Sequence, residues 1–175
     1  MDRGCIQIYT GNGKGKTTAA LGILLRAVAS NYKCLLVQFM KKGFPYTELE
    51  SLKQFSSFVT IETIGSDDHV LEKRPPNKTE IQEIKSGLEF AKETLKISSY
   101  DVVILDEIST VCHFGLCKNE DVIELFTNWS DTTELILTGR YCPENWFEYA
   151  DLVTEMKEIK HYYQKGVESR KGIDF

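Results

Sequence analysis

Tyr9-Thr10-Gly11-Asn12-Gly13-Lys14-Gly15-Lys16-Thr17-Thr18 decides the fold, because of what flanks it. The residues before it, Ile6 to Tyr9, read as a strand; those after it, Lys16 to about Ser30, read as a helix. From Thr18 to Ser30 the only charge is Arg26, so this helix is expected to be covered on most sides, with Arg26 at an exposed edge. A glycine-rich turn between a strand and a helix makes a cradle for phosphate. The glycines let successive N–H groups point inward, and the helix N-terminus adds partial positive charge at the same spot. Gly11, Asn12, Gly13, Lys14, Gly15, Lys16, Thr17 and Thr18 are therefore the candidate nucleotide-binding residues, with Lys16 as the mobile cation and the Thr17 hydroxyl as a ligand for Mg²⁺. Counting back from Gly15-Lys16-Thr17, the position that usually opens such a loop with glycine is Thr10. Either the loop is Thr-substituted or it is one residue shorter and begins at Gly11.

Outward from the loop, strand-like and helix-like runs alternate. Strands are expected at Cys34 to Gln38, Val59 to Ile64, Val102 to Leu105, Glu134 to Thr138 and Leu152 to Met156. Helices are expected near Thr47 to Phe55, at about Thr79 to Leu95, in short pieces around Lys118 to Trp129, and near Pro143 to Tyr149. The second of these places Ile81, Ile84, Leu88, Ala91 and Leu95 along one face. Short branched strands separated by helices indicate an α/β fold, a mostly parallel sheet flanked by helices on both faces. Gly65 to Lys78 is the least regular stretch and reads as a surface connection or a loop over a site. With no internal repeat and no dividing linker, residues 1–175 are expected to form a single domain.

Val102-Val103-Ile104-Leu105 ends in Asp106-Glu107, which delivers two carboxylates to the carboxyl edge of the sheet, where ligands bind in open α/β folds. Mg²⁺ takes hard oxygen ligands, so Asp106 or Glu107 beside Thr17 completes a candidate metal site. Thr138-Gly139-Arg140 emerges at the same edge, and Arg140 reads either as a phosphate contact or as an ordinary loop arginine. Cys112, His113, Cys117 and Cys142 fit none of the usual zinc spacings, and His69 and His161 have no recognisable partner.

Composition removes whole classes. The net charge is −5, and a general nucleic-acid binder needs a basic face, so no nucleic acid is expected as a partner. The longest apolar runs are strand-length, so no membrane span is expected, and Asp2 and Arg3 precede no signal-like apolar stretch. The five cysteines are an odd number without a tight framework, and Cys5 and Cys34 fall in expected buried strands; a reducing cytoplasm suits them.

Taken in order, these segments resemble the ATP:corrinoid adenosyltransferases of the CobA/CobO/BtuR type. Ile8 to Ala20 looks like the family's short phosphate loop, Thr10 included, and Val37-Gln38-Phe39-Met40-Lys41 like its second strand and exit. Phe44-Pro45-Tyr46-Thr47-Glu48 is similar to an aromatic-x-Tyr-Gly-Glu stretch, with Thr47 in place of glycine. Leu105-Asp106-Glu107, Thr138-Gly139-Arg140, Glu155-Met156-Lys157, Lys160-His161, Gly166-Val167 and Gly172-Ile173-Asp174-Phe175 follow in the family's order. The resemblance implies a P-loop NTPase-like, RecA-type fold and transfer of the 5′-deoxyadenosyl group of ATP to the cobalt of a reduced corrinoid, with release of triphosphate. It implies ATP as co-substrate, Mg²⁺ with Mn²⁺ as its alternative, and an inverted nucleotide placement. Lys16 and Arg140 would be catalytic, and Thr17, Glu107 and Asp106 would serve the metal. Phe39, Phe44 and Tyr46 are the candidates for the corrinoid face. It further implies a homodimer with a site completed near the subunit boundary and a flavoprotein electron donor.

One segment departs from the family. Where a Gly-Phe-Thr-Trp stretch would help displace the lower axial ligand of cobalt, this chain has Gly65-Ser66-Asp67-Asp68. Two other readings of the same residues therefore stay open: a conventional P-loop phosphotransferase or ATPase acting at the γ-phosphate, and a non-catalytic member that binds ATP or a corrinoid.

Overall fold

Branched apolar runs become strands here because both of their faces are covered. In the computed structural model, which describes residues 3–97 and 99–175, β2 (Cys34–Phe39) and β4 (Val102–Asp106) are buried at every position. Asp2, read above with Arg3, lies outside the described residues. Four further strands join them, β1 (Ile6–Thr10), β3 (Val59–Ile64), β5 (Glu134–Thr138) and β6 (Leu152–Glu155), in the order β3-β2-β4-β5-β1-β6. Every pairing between them is parallel, a stricter outcome than the mostly parallel sheet expected.

The two-residue period of the strands sorts side chains onto two faces. Leu35, Val37, Val103, Leu105, Leu135 and Leu137 pack on one side against α4 (Lys78–Ile97), α5 (Ile108–His113) and α6 (Asn119–Thr127). Leu36, Ile104 and Ile136 face α1 (Lys16–Ala29) and α2 (Thr47–Leu52) on the other side, through Ala20, Leu24, Ala27, Val28 and Leu52. The same alternation carries Gln38 and Asp106, register partners in β2 and β4, to the α1 side at the carboxyl edge.

Helix α1 is less covered than its lack of charge suggested. Leu25 is half exposed and Gly22 is also exposed, so one side of the helix forms the wall of a groove. The stretch from Gly65 to Lys78 contains α3 (Asp68–Leu71), too short to show a period, and the pieces around Lys118 to Trp129 are one helix, α6. Short 3-10 helices occupy Glu144–Tyr149 and Tyr162–Lys165. Cys34 is buried as expected, whereas Cys5 sits just before β1 and is only partly covered. Among the described residues no helix is long and apolar enough to cross a membrane.

Candidate active site

The phosphate loop keeps its shape through two glycines. Gly15, with φ +114, turns the chain into α1 in a conformation that side chains rarely adopt. Gly13 lies against the exit of β6: its N–H donates to the Met156 carbonyl at 2.6 Å, and a Cβ there would sit 2.6 Å from the same oxygen. Lys16 folds back over this loop, buried, and donates to the carbonyls of Gly11 at 2.8 Å and Gly13 at 2.7 Å. Burial lowers its pKa, with Glu107 opposing that shift and Arg140 adding to it.

Asp106 is the buried centre behind the loop. Its Oδ1 accepts from the Thr17 hydroxyl at 2.9 Å and the Thr138 hydroxyl at 2.6 Å; its Oδ2 accepts from Lys41 at 2.7 Å and Gln38 Nε2 at 3.3 Å. Both oxygens are occupied, so Asp106 orients Thr17. The oxygens left to face a cation are those of Thr17 and Glu107, a hard-oxygen set that suits Mg²⁺ or Mn²⁺. Glu107 Oε2 accepts from the Thr110 hydroxyl at 2.5 Å, and Thr110 Oγ1 accepts from the Arg140 N–H at 3.0 Å. The Ser109 hydroxyl donates to the Arg140 carbonyl at 3.0 Å. Helix α5 thereby holds the backbone at Arg140 and the carboxylate of Glu107 in one unit.

Three non-glycine residues with positive φ lie just beyond adjacent central strands: Met40 after β2, Glu107 after β4 and Tyr141 after β5. Each such conformation costs about 1–3 kcal/mol. These bends turn Lys41, Glu107 and Arg140 toward one cavity of about 320 Å³. Gly13 to Thr18 form its floor, and Tyr46, His161, Tyr162, Ile173 and Asp174 close it.

The last residues of the chain were read only as a family-like tail, and here they build a wall. Lys14 Nζ donates to Tyr162 OH at 2.7 Å, to the Ile173 carbonyl at 2.9 Å and to the Asp174 carboxylate. Tyr162 OH also donates to Asp174, and Arg170 Nε does so at 3.0 Å. Hydrogen bonds from Lys14 and Tyr162, joined by Arg170, hold the Asp174 carboxyl well below the usual carboxylate range. All three N–H bonds of Lys14 are thus engaged by the tail. Asn12 is exposed and does not line the cavity, while Thr18 lines both the cavity and a second groove.

That groove, about 580 Å³, adjoins the cavity and runs between α1, α2 and Gly172–Phe175. The Thr47 hydroxyl donates to the Phe175 carbonyl at 2.6 Å, and the ring of Phe44 lies 4.8 Å from Tyr46 and 4.9 Å from Phe175. Two of the three expected corrinoid aromatics, Phe44 and Tyr46, therefore stand at the rim. Phe39 does not: its side chain is completely buried, on the sheet face opposite Gln38, in the core beside Ile64 and Gly87. It ends a strand whose alternate residues point into the core, and a corrinoid cannot reach it.

With this geometry in place, the comparisons decide the family. The family model described as ATP:corrinoid adenosyltransferase BtuR/CobO/CobP matches residues 2–175. The chain belongs to the ATP:corrinoid adenosyltransferase family. A relative named corrinoid adenosyltransferase in Escherichia coli (strain K12) is 33% identical over 174 residues, covering 99% of this chain and 87% of the relative. Another of that name in Sinorhizobium sp. is 31% identical over 176 residues, covering 99% and 81%. In this adenosyltransferase, Ser66, Asp67 and Asp68 line neither the phosphate cavity nor the adjoining groove. Ser66 donates to Asp68 at 2.6 Å, and the negative charge of Asp67 is one of the influences that, after burial, raise the Tyr46 phenol.

Lys41, Thr138, Tyr162 and Asp174 are site residues that were not singled out in advance. Lys41 had a signal, its place directly after the second strand. Asp174 had only its place in the family-like Gly172–Phe175 stretch and Tyr162 had none, because their partner Lys14 lies 160 and 148 positions away.

Proposed function

We propose that this protein transfers the 5′-deoxyadenosyl group of ATP to the Co(I) of a reduced corrinoid and releases inorganic triphosphate. The observation that carries the reading is a family match over residues 2–175, joined to a cavity that Lys16, Lys41 and Arg140 line beside the phosphate loop. Co(I) attacks C5′ with its own electron pair; the Co–C5′ bond forms, the C5′–O bond breaks, and the oxygen leaves with the triphosphate. No proton has to be removed, so the task of the protein is alignment and charge neutralisation.

In this reading the loop N–H groups from Gly11 to Thr17 cradle the phosphates, Lys16 and Arg140 oppose the charge that grows on the leaving group, and Thr18 borders the substrate. Thr17 and Glu107 would hold Mg²⁺ or Mn²⁺, with Asp106 fixing the Thr17 hydroxyl. When bound, that cation supplies further neutralisation of the triphosphate. Phe44 and Tyr46 offer apolar cover to a corrinoid at the mouth of the groove. The corrinoid must arrive as Co(I), for which a flavoprotein is the expected donor.

A homodimer also follows from this reading. The edge strand β6 exposes Leu152 and Val153, and Ile159, Tyr163 and Ile173 are exposed in the segments that follow it. A second copy laid there would shield apolar surface beside the cavity. Product analysis tests the activity. Incubation with ATP, Mg²⁺ and chemically reduced corrinoid should give triphosphate and an adenosylated corrinoid, while ADP or phosphate alone would replace this reading with conventional phosphoryl transfer.

A further inference from the structure

Counting donors around the cavity singles out one cation that the family match leaves without a role. Lys14 has spent its three N–H bonds on Tyr162, Ile173 and Asp174, and Lys16 directs two of its three to Gly11 and Gly13. Lys41 differs. Among the described residues its ammonium has one hydrogen-bond acceptor, Asp106 Oδ2 at 2.7 Å, and it stands 4.8 Å from the centre of the Tyr46 ring. Its side chain is only 10% exposed, yet it lines both the phosphate cavity and the adjoining groove.

A partly dehydrated ammonium with unused N–H bonds beside a polyphosphate cavity is a strong anion ligand, because hydrogen bonds between charged groups strengthen where water is excluded. We propose that Lys41 is a direct phosphate ligand of this site, taking the part expected of Lys14. Asp106 then has two duties on one carboxylate, aiming Thr17 through Oδ1 and Lys41 through Oδ2. Lys41 and Asp106 form a close ion pair at 2.7 Å, with the Asp106 side chain fully buried. Met40, with φ +58, supplies the bend that brings Lys41 back over the sheet edge. The inference rests on the polyphosphate reading of the cavity and not on which bond of ATP is broken.

The test is calorimetric titration of inorganic triphosphate in EDTA, so that no divalent cation contributes. Lys41→Gln keeps a hydrogen-bond donor for Asp106 but removes the charge, and is expected to weaken triphosphate binding by about 10–100-fold, the loss of one charge-assisted hydrogen bond. Lys41→Arg should recover most of that affinity, and adenosine binding should be the same in all variants. The double variant Lys41→Gln/Asp106→Asn separates contact from charge balance: it stays weak if Lys41 touches phosphate. Wild-type affinity in Lys41→Gln, or its return in the double variant, overturns the proposal. Because inorganic triphosphate has no adenosyl group, an unexpected product in the activity assay leaves this titration unaffected.

Discussion

The ammonium of Lys16 is held over the phosphate loop by the carbonyls of Gly11 and Gly13, which leaves one of its three N–H bonds for an incoming phosphate. Lys16→Ala is expected to lower turnover by about 100–1,000-fold, the range for removing one preorganised charge-stabilising donor. Steady-state assay with ATP and pre-reduced corrinoid measures this, and near-normal activity would place the phosphates elsewhere. Phe39 predicts the opposite kind of phenotype. Phe39→Ala should destabilise the fold by about 3–5 kcal/mol through lost burial and a cavity, while corrinoid affinity in the folded fraction stays the same; denaturant titration and binding separate the two. These cases mark what single residues disclose. Glycine, lysine and threonine at fixed spacing have a chemistry that almost dictates their use. An aromatic at a strand end does not, because one step along the backbone decides between core and rim. Lys14 had the right charge in the right loop, and only its distant partners show that the tail employs it.

At the scale of elements, α4 begins with a reciprocal cap. Asn77 Oδ1 accepts from the Thr79 N–H at 2.9 Å and the Glu80 N–H at 3.0 Å, and Glu80 accepts in return from the Asn77 N–H at 2.7 Å. Arg74 forks onto both Glu80 oxygens at 2.9 and 2.7 Å. The Arg74 hydrogen bonds, then the Asn77 N–H, pull the Glu80 pKa from 4.5 down to about 2. A depressed carboxylate stabilises the fold above its unfolded value and loses that contribution as pH falls through its folded value. Glu80→Gln should therefore have a lower thermal midpoint near neutral pH, and its deficit should shrink as pH falls from 4.5 toward 2. A constant deficit across that window would mean that geometry, and not charge, sustains the cap. Long elements such as α4 and the central strands were legible because period and burial agree over many residues. Helices α3 and α5 were not: four and six residues show no period, and α5 starts from the left-handed φ of Glu107.

For the molecule as a whole, the cavity joins β1, β2, β4 and β5 exits to the tail, so a bound nucleotide restrains much of the chain at once. At 100 times its dissociation constant a ligand adds about 2.7 kcal/mol, which for a chain of this size raises the unfolding midpoint by roughly 5–11 °C. Thermal denaturation with ATP and Mg²⁺ measures the shift, and its absence in Lys16→Ala would tie it to the loop. The α/β class and the parallel sheet followed from the alternation of runs. Strand order did not, since hydrophobic pattern says which residues are covered but not which strand lies alongside which.

The link from Lys14 to Asp174 across 160 positions has a bearing on how the protein is made. The loop emerges early in synthesis, but among the described residues β1 pairs with β5 and β6, which are made much later, and the Tyr162–Asp174 wall of the cavity comes after them. An unfinished chain holds the phosphate motif without the surroundings that give it affinity. Nucleotide affinity is therefore expected only once residues through Asp174 have been made and have folded against the loop.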